Sequence, residues 1–219
     1  VGVAVVGDAD AEPTIWVVAG PNGAGKSSIV GEMINQSRGT FYNPDEVARA
    51  LREREPRLHP VRANELAWRE GKRLLEQSIA ERRNFAFETT LGGKSISSLL
   101  HRAAREGISV RMWFLALAHP DQHVARVRAR VLEGGHDIAE SVIRERYDRS
   151  RENLVALLPR LDVLRVYDNS ADAQPNGRAE PRLILELRNG RILNRSDLSS
   201  TPPWAQAIVA AALLGERSL

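Results

Sequence analysis

Residues 14–28 read Thr14-Ile15-Trp16-Val17-Val18-Ala19-Gly20-Pro21-Asn22-Gly23-Ala24-Gly25-Lys26-Ser27-Ser28, and this stretch decides the fold. Its first six residues are β-branched or apolar and predict a buried strand. Residues 20–27 match the phosphate-binding loop pattern G-x-x-x-x-G-K-[ST], and Ser28-Ile29-Val30 can open a helix. Glycines at these spacings let backbone N–H groups turn inward around phosphates, and the helix N-terminus adds the positive end of its dipole. Lys26 is placed to reach the β- and γ-phosphates, and the Ser27 hydroxyl to take a Mg²⁺ position. Gly20 through Ser28 are therefore the expected ATP-binding residues, namely Gly20, Pro21, Asn22, Gly23, Ala24, Gly25, Lys26, Ser27 and Ser28.

The chain around this loop holds 219 residues, enough for one α/β domain with a full core and a modest extension. Of 31 basic residues only Lys26, Lys72 and Lys94 are lysine, so the loop carries a compact ammonium in a chain that otherwise prefers the guanidinium fork. Net charge is +3, and this near balance argues against a long nucleic acid as partner despite the pI near 9.7. There is no cysteine, which excludes disulfides and thiolate chemistry. The apolar start is too short for a membrane span and lacks the pattern of a cleaved signal. Residues 1–12 read as a tail, and a cytoplasmic soluble protein is the expectation.

Outward from the loop, strand-like and helical patterns alternate. Strands are expected at 39–43, 84–89, 109–117 and 163–167. Ile96, Leu99, Leu100 and Ala103 mark one helix face. Ile143, Tyr147, Ser150, Leu154 and Leu157 mark a longer one stopped by Pro159, and Ala67, Gly71, Leu74, Leu75 and Ile79 a weaker one. Such alternation predicts an α/β fold, a mostly parallel sheet with helices on both faces. The expected core is 13–170, with a lid around 121–146. Residues 171–219 then form a loop, a hairpin turning at Asn189-Gly190 and a helix from Pro202-Pro203-Trp204 to Leu214.

The loop's wording is common in ABC ATPases, but the LSGGQ signature and acidic Walker B strand end are missing, as is the N-K-x-D motif of GTPases. Kinases of small metabolites remain, and two acids suit them. Asp45 follows the second strand, on the same sheet edge as the loop, where a carboxylate can take the proton of an attacking hydroxyl. A local role fits equally: Asn43 as N-cap, Pro44 first in the helix, and Asp45 and Glu46 favouring its dipole. Glu88 ends the third strand before Thr89-Thr90-Leu91-Gly92-Gly93, a set suited to a polar substrate or a metal-bound water. Arg126 and Arg130 lie at i, i+4, opposite the Val124, Val127, Val131 stripe. Gly134-Gly135-His136 and then Arg144 and Arg146 follow, an arrangement like a lid whose arginines close over phosphates.

These pieces together resemble the zeta toxin family, in its short chromosomal type. The matching stretches are G-P-N-G-A-G-K-S-S at 20–28, N-P-D-E-V-A at 43–48, F-A-F-E-T-T-L at 85–91, R-V-R-A-R-V-L-E-G-G-H at 126–136, I-R-E-R-Y-D-R-S at 143–150, N-L at 153–154 and V-Y-D-N-S at 166–170. The resemblance implies a P-loop nucleotide-kinase-like core, a kinase that uses ATP and Mg²⁺ to phosphorylate UDP-N-acetylglucosamine on its 3′ hydroxyl, and an antitoxin protein as partner. It implies Lys26 and Ser27 as loop lysine and Mg²⁺ hydroxyl, Asp45 as catalytic base, and Glu88 with Thr89 and Thr90 on the substrate. Among the lid arginines Arg130 is favoured, with Arg126 and either Arg144 or Arg146 as competitors. The lid spacing departs from the plasmid-type pattern, and His136 stands where an arginine is expected. A kinase of another nucleotide or small-molecule hydroxyl, or a non-catalytic nucleotide-switched module, are the alternatives the residues leave open.

Overall fold

The structure is a computed structural model and describes residues 12–31, 41–133, 135, 137–171 and 180–216. The expected tail up to residue 11, Gly134, His136 and loop residues 172–179 lie outside these. Strand β1 (Thr14–Ala19) leads through the phosphate loop into helix α1, which opens at residue 27 and is described to residue 31. Then follow β2 (Phe41–Tyr42), α2 (Pro44–Arg54), α3 (Pro60–Ala80), β3 (Phe85–Thr89), α4 (Lys94–Arg105), β4 (Ser109–Ala116), α5 (Pro120–Leu132) and α6 (Glu140–Leu157). The remaining elements are β5 (Val163–Asp168), β6 (Arg182–Arg188), β7 (Arg191–Arg195) and α7 (Pro203–Glu216).

The sheet runs β2-β3-β1-β4-β5-β6-β7, with the first five strands parallel and the last two antiparallel. All six residues of β1 are buried, as a strand must be when both faces are covered. The pleat sends Ile15, Val17 and Ala19 into one core with α3, α4, α6 and α7, through Leu75, Leu100, Leu154 and Ile208 among others. Trp16 and Val18 face the other side with Ala24 and Ile29 of the loop and α1, beside Trp113 and Leu115 of β4. This is the mostly parallel sheet with helices on both faces that the alternation predicts. The neighbours of β1 are β3 and β4, so the loop leaves the sheet where the strand order turns back on itself, the usual place for a ligand crevice.

Most expected elements recur with shifted ends. Of the second strand expected at 39–43, residues 39 and 40 lie outside the described residues, and the strand ends at Tyr42 because Asn43 turns away to cap α2, its Oδ1 accepting from Asp45 N at 2.9 Å. Helix α6 stops at Leu157, and Pro159 falls inside a short 3-10 turn, Leu158–Arg160. Leu74 is half-buried while the rest of its stripe is buried, and the last helix starts at Pro203. The hairpin turns on Asn189 and Gly190, both with positive φ (48° and 76°), as a two-residue turn of this hand requires.

Candidate active site

The loop is pinned at its root. Gly20 has φ 144°, and a Cβ there would lie 2.0 Å from the Leu115 carbonyl oxygen, while its own N–H donates to Thr89 O at 3.2 Å. Only glycine can leave β1 between its two neighbours in this way. Lys26 is buried, and its Nζ donates to Gly20 O (3.0 Å) and Pro21 O (3.2 Å) and lies 3.4 Å from Glu88 Oε1. Ser28 Oγ donates back to Gly25 O at 2.8 Å, whereas Ser27 is exposed in the first turn of α1.

Three side chains from distant elements hold the loop from outside. His123, in the first turns of α5, is fully buried. Leu117 N–H donates to its Nε2 at 3.1 Å, which leaves Nδ1 to carry the proton and donate to Asn22 O at 2.7 Å. Burial, with Lys26, Arg126 and Arg151 nearby, pushes the imidazole pKa down to about 4 against the pull of the Asn22 carbonyl. It therefore stays neutral and keeps this tautomer at neutral pH. Asn169, just past β5, donates from Nδ2 to Ala24 O at 2.9 Å, and Arg126 donates to Asn169 O at 2.8 Å. Arg146 of α6 donates to Asn22 Oδ1 at 2.8 Å; burial lowers the pKa of its guanidinium, opposed by the Glu145 and Asp45 carboxylates.

A cleft of about 520 Å³ opens from the loop between α3 and α6, with the C-terminal ends of β2 and β3 as its floor. Lys26, Asp45, Glu88, Thr89, Thr90, Arg130 and Arg146 all line it. Glu88 is held between Lys26 and Asn43, whose Nδ2 lies 3.5 Å from its other oxygen. Thr89 and Thr90 accept from the N–H groups of Leu91 and Gly92, so each hydroxyl proton is free to be donated into the cleft. Asp45 serves both readings of its sequence position: it stands in the first turn of α2 and faces Arg130, 3.4 Å from Nη1. Among the described residues, Arg130 Nε and Nη2 are buried without a hydrogen-bond partner. A guanidinium edge left unpaired in this way suits a bidentate anion such as a phosphate.

The lid arginines separate. Arg130 and Arg146 reach the cleft. Arg126 lies on the outer flank of the loop, against Asn169. Arg144 is not brought to the cleft: it ties α6 to α5 through Asp121 (2.5 Å) and pairs within α6 with Glu140 (2.7 Å). The sequence reading missed His123 and Asn169, and on α3 it missed Asn64, Trp68 and Lys72, which form the far wall. For Mg²⁺ the protein donors are sparse, with no cluster of three acids or histidines among the described residues. One exposed Ser27 hydroxyl at the loop fits a hard cation that keeps waters and takes phosphate oxygens.

The loop, the sheet order and the crevice define the phosphate-loop kinase type of α/β fold. Residues 15–157 match the family described as AAA domain, and the chain belongs to that family. An uncharacterised protein of Haemophilus influenzae is 31% identical over 141 residues, covering 61% of this chain and 96% of that protein. Among solved structures, a chain of the AvrRxo1-ORF1:-ORF2 complex with ATP matches with a TM-score of 0.60 at 17% identity. That match covers 84% of this chain but only 60% of the other's length. A chain of the PezAT chromosomal toxin-antitoxin system of Streptococcus pneumoniae matches with a TM-score of 0.57 at 14% identity, covering 96% and 87%. At such identities these two likenesses concern the fold.

Proposed function

We propose that this protein is a kinase that moves the γ-phosphate of ATP to a hydroxyl of a nucleotide sugar, with the 3′ hydroxyl of UDP-N-acetylglucosamine favoured. The observation that carries the reading is the position of Asp45: a carboxylate lining the same cleft as Lys26 and facing Arg130, whose Nε and Nη2 have no hydrogen-bond partner among the described residues. In the proposed step, Asp45 accepts the acceptor's O–H proton as that oxygen bonds to the γ-phosphorus. The bond from the γ-phosphorus to the β,γ-bridging oxygen breaks, and ADP leaves. Lys26, Arg130 and Arg146 hold the phosphoryl oxygens as charge shifts toward the bridging oxygen. Glu88, Thr89 and Thr90 orient the acceptor, and Ser27 would hold Mg²⁺, which neutralises phosphate charge.

The resemblance to zeta toxins supports the acceptor. The ATP in one structural neighbour supports the donor. The partnered state of both neighbours supports a protein partner, an antitoxin, for this chain. Among the described residues no helix is long and apolar enough to cross a membrane, and we place the protein in the cytoplasm. The test is mass spectrometry of UDP-N-acetylglucosamine after incubation with the protein, ATP and Mg²⁺. A gain of one phosphate is expected. An unchanged sugar nucleotide, with label from ATP on another metabolite, would replace the acceptor. Label on nothing would remove the kinase reading.

A further inference from the structure

Asn64, Trp68 and Lys72 follow at i, i+4 and i+8 along α3, so they form one line, and all three line the cleft. Tyr42 fixes that line in place. Its hydroxyl donates to Ala67 O at 2.5 Å, and its ring lies where a Cβ on Gly71 would come within 2.7 Å. Trp68 is 45% exposed, whereas Trp16, Trp113 and Trp204 are at most 6% exposed. One helical turn on, Lys72 pairs among the described residues with Glu76, an i, i+4 surface pair at 3.0 Å that holds the ammonium weakly.

The geometry points to α3 as the subsite for the part of the acceptor that does not react: a nucleobase stacked on Trp68, with its adjoining phosphate at Lys72. This deepens the kinase reading and rests on it. The size of the cleft argues for an acceptor larger than a bare sugar, since about 520 Å³ falls within the roughly 300–1,000 Å³ that enclose ligands of drug size. The side of the cleft argues for acceptor over donor. Trp68 lines the same cleft as Asp45, and α3 packs against Tyr42 of β2. The loop's opposite flank is closed by Asn169 and Arg126. A base on an aromatic face also needs no hydrogen-bond code to add affinity.

The probe is UMP, titrated against the full chain whose phosphate loop is filled with a non-hydrolysable ATP analogue and Mg²⁺. Quenching of tryptophan fluorescence is expected, and Trp68→Ala is expected to weaken UMP binding by ~5- to 150-fold. Trp68→Phe should restore most of the affinity with little quenching, and Lys72→Met should weaken UMP but not uridine. In turnover, Trp68→Ala should raise KM for the nucleotide acceptor and leave KM for ATP unchanged. Equal UMP affinity in wild type and Trp68→Ala overturns the subsite, and so does no UMP binding at all. If Asp45→Ala still abolishes transfer in either case, the kinase reading survives without the subsite; if the wild type transfers phosphate to nothing, both fall.

Discussion

The two flanks of the phosphate loop are built differently. On the β4–β5 side the loop is fastened by buried groups: His123 on Asn22 O, Asn169 on Ala24 O, and Arg126 behind Asn169. On the β2–β3 side the groups facing it are half open. Asp45 and Trp68 are 47% and 45% exposed, and the Arg130 side chain is 38% exposed. The first flank is finished before any ligand arrives, so binding there costs little reorganisation. The second is completed by what enters it, and discrimination between acceptors belongs to that side.

The comparison is broken most severely at Asp45. Asp45→Ala should lower kcat by ~10²–10⁴ while ATP binding, measured by calorimetry, stays near the wild-type value. Transfer at the parental rate would mean that the open flank holds no base. Arg130→Ala should follow, with kcat down by ~10²–10³ and a smaller change in KM for ATP. A still smaller effect comes from the closed flank and depends on pH. The folded pKa of His123, about 4, is depressed from 6.5, so its stabilising contribution is complete above pH 6.5 and is lost as pH falls toward 4. Urea unfolding at pH 7 and pH 4.5 should show the wild type losing on the order of 3 kcal/mol more than His123→Gln across that window. Equal losses would show that the imidazole does not bear the cost of burial. Smallest of all, Arg144→Ala should leave kcat within about twofold and the urea midpoint near the wild-type value, since its ion pairs are exposed. A large loss of kcat there would move Arg144 into the site.

What was legible in the sequence follows from the range of each interaction. The loop, the run of β1 and the acid at the end of β3 are written in consecutive residues, and their relative placement follows from parallel strands sharing one edge. The stripe on α6 left Arg144 and Arg146 as competitors, because each adjoins a buried member of it, Ile143 or Tyr147. Their partners separate them, Asp121 for Arg144 and Asn22 of the loop for Arg146. His123 was not legible, because the carbonyl it holds lies 101 positions earlier, and beside Val124 it reads as part of an apolar face. Trp68 adjoins the weak α3 stripe without belonging to it, and its place in the cleft wall appears only once α3 is set against the sheet. The arginines posed the converse difficulty, since a composition so rich in them makes any one uninformative until its partner is seen.

The root of the loop has a consequence for genetics. At Gly20 a single methyl group would collide with a backbone oxygen of β4, so substitution there separates strands before it touches any ligand. A search for alleles that are inactive but fully folded will therefore recover Lys26 and Asp45 and pass over Gly20, whose variants disappear as aggregated or degraded chains. The same residue would look indispensable in a growth assay and silent in a catalogue of soluble mutants. Read together, those two results locate the place where folding and chemistry cannot be mutated apart.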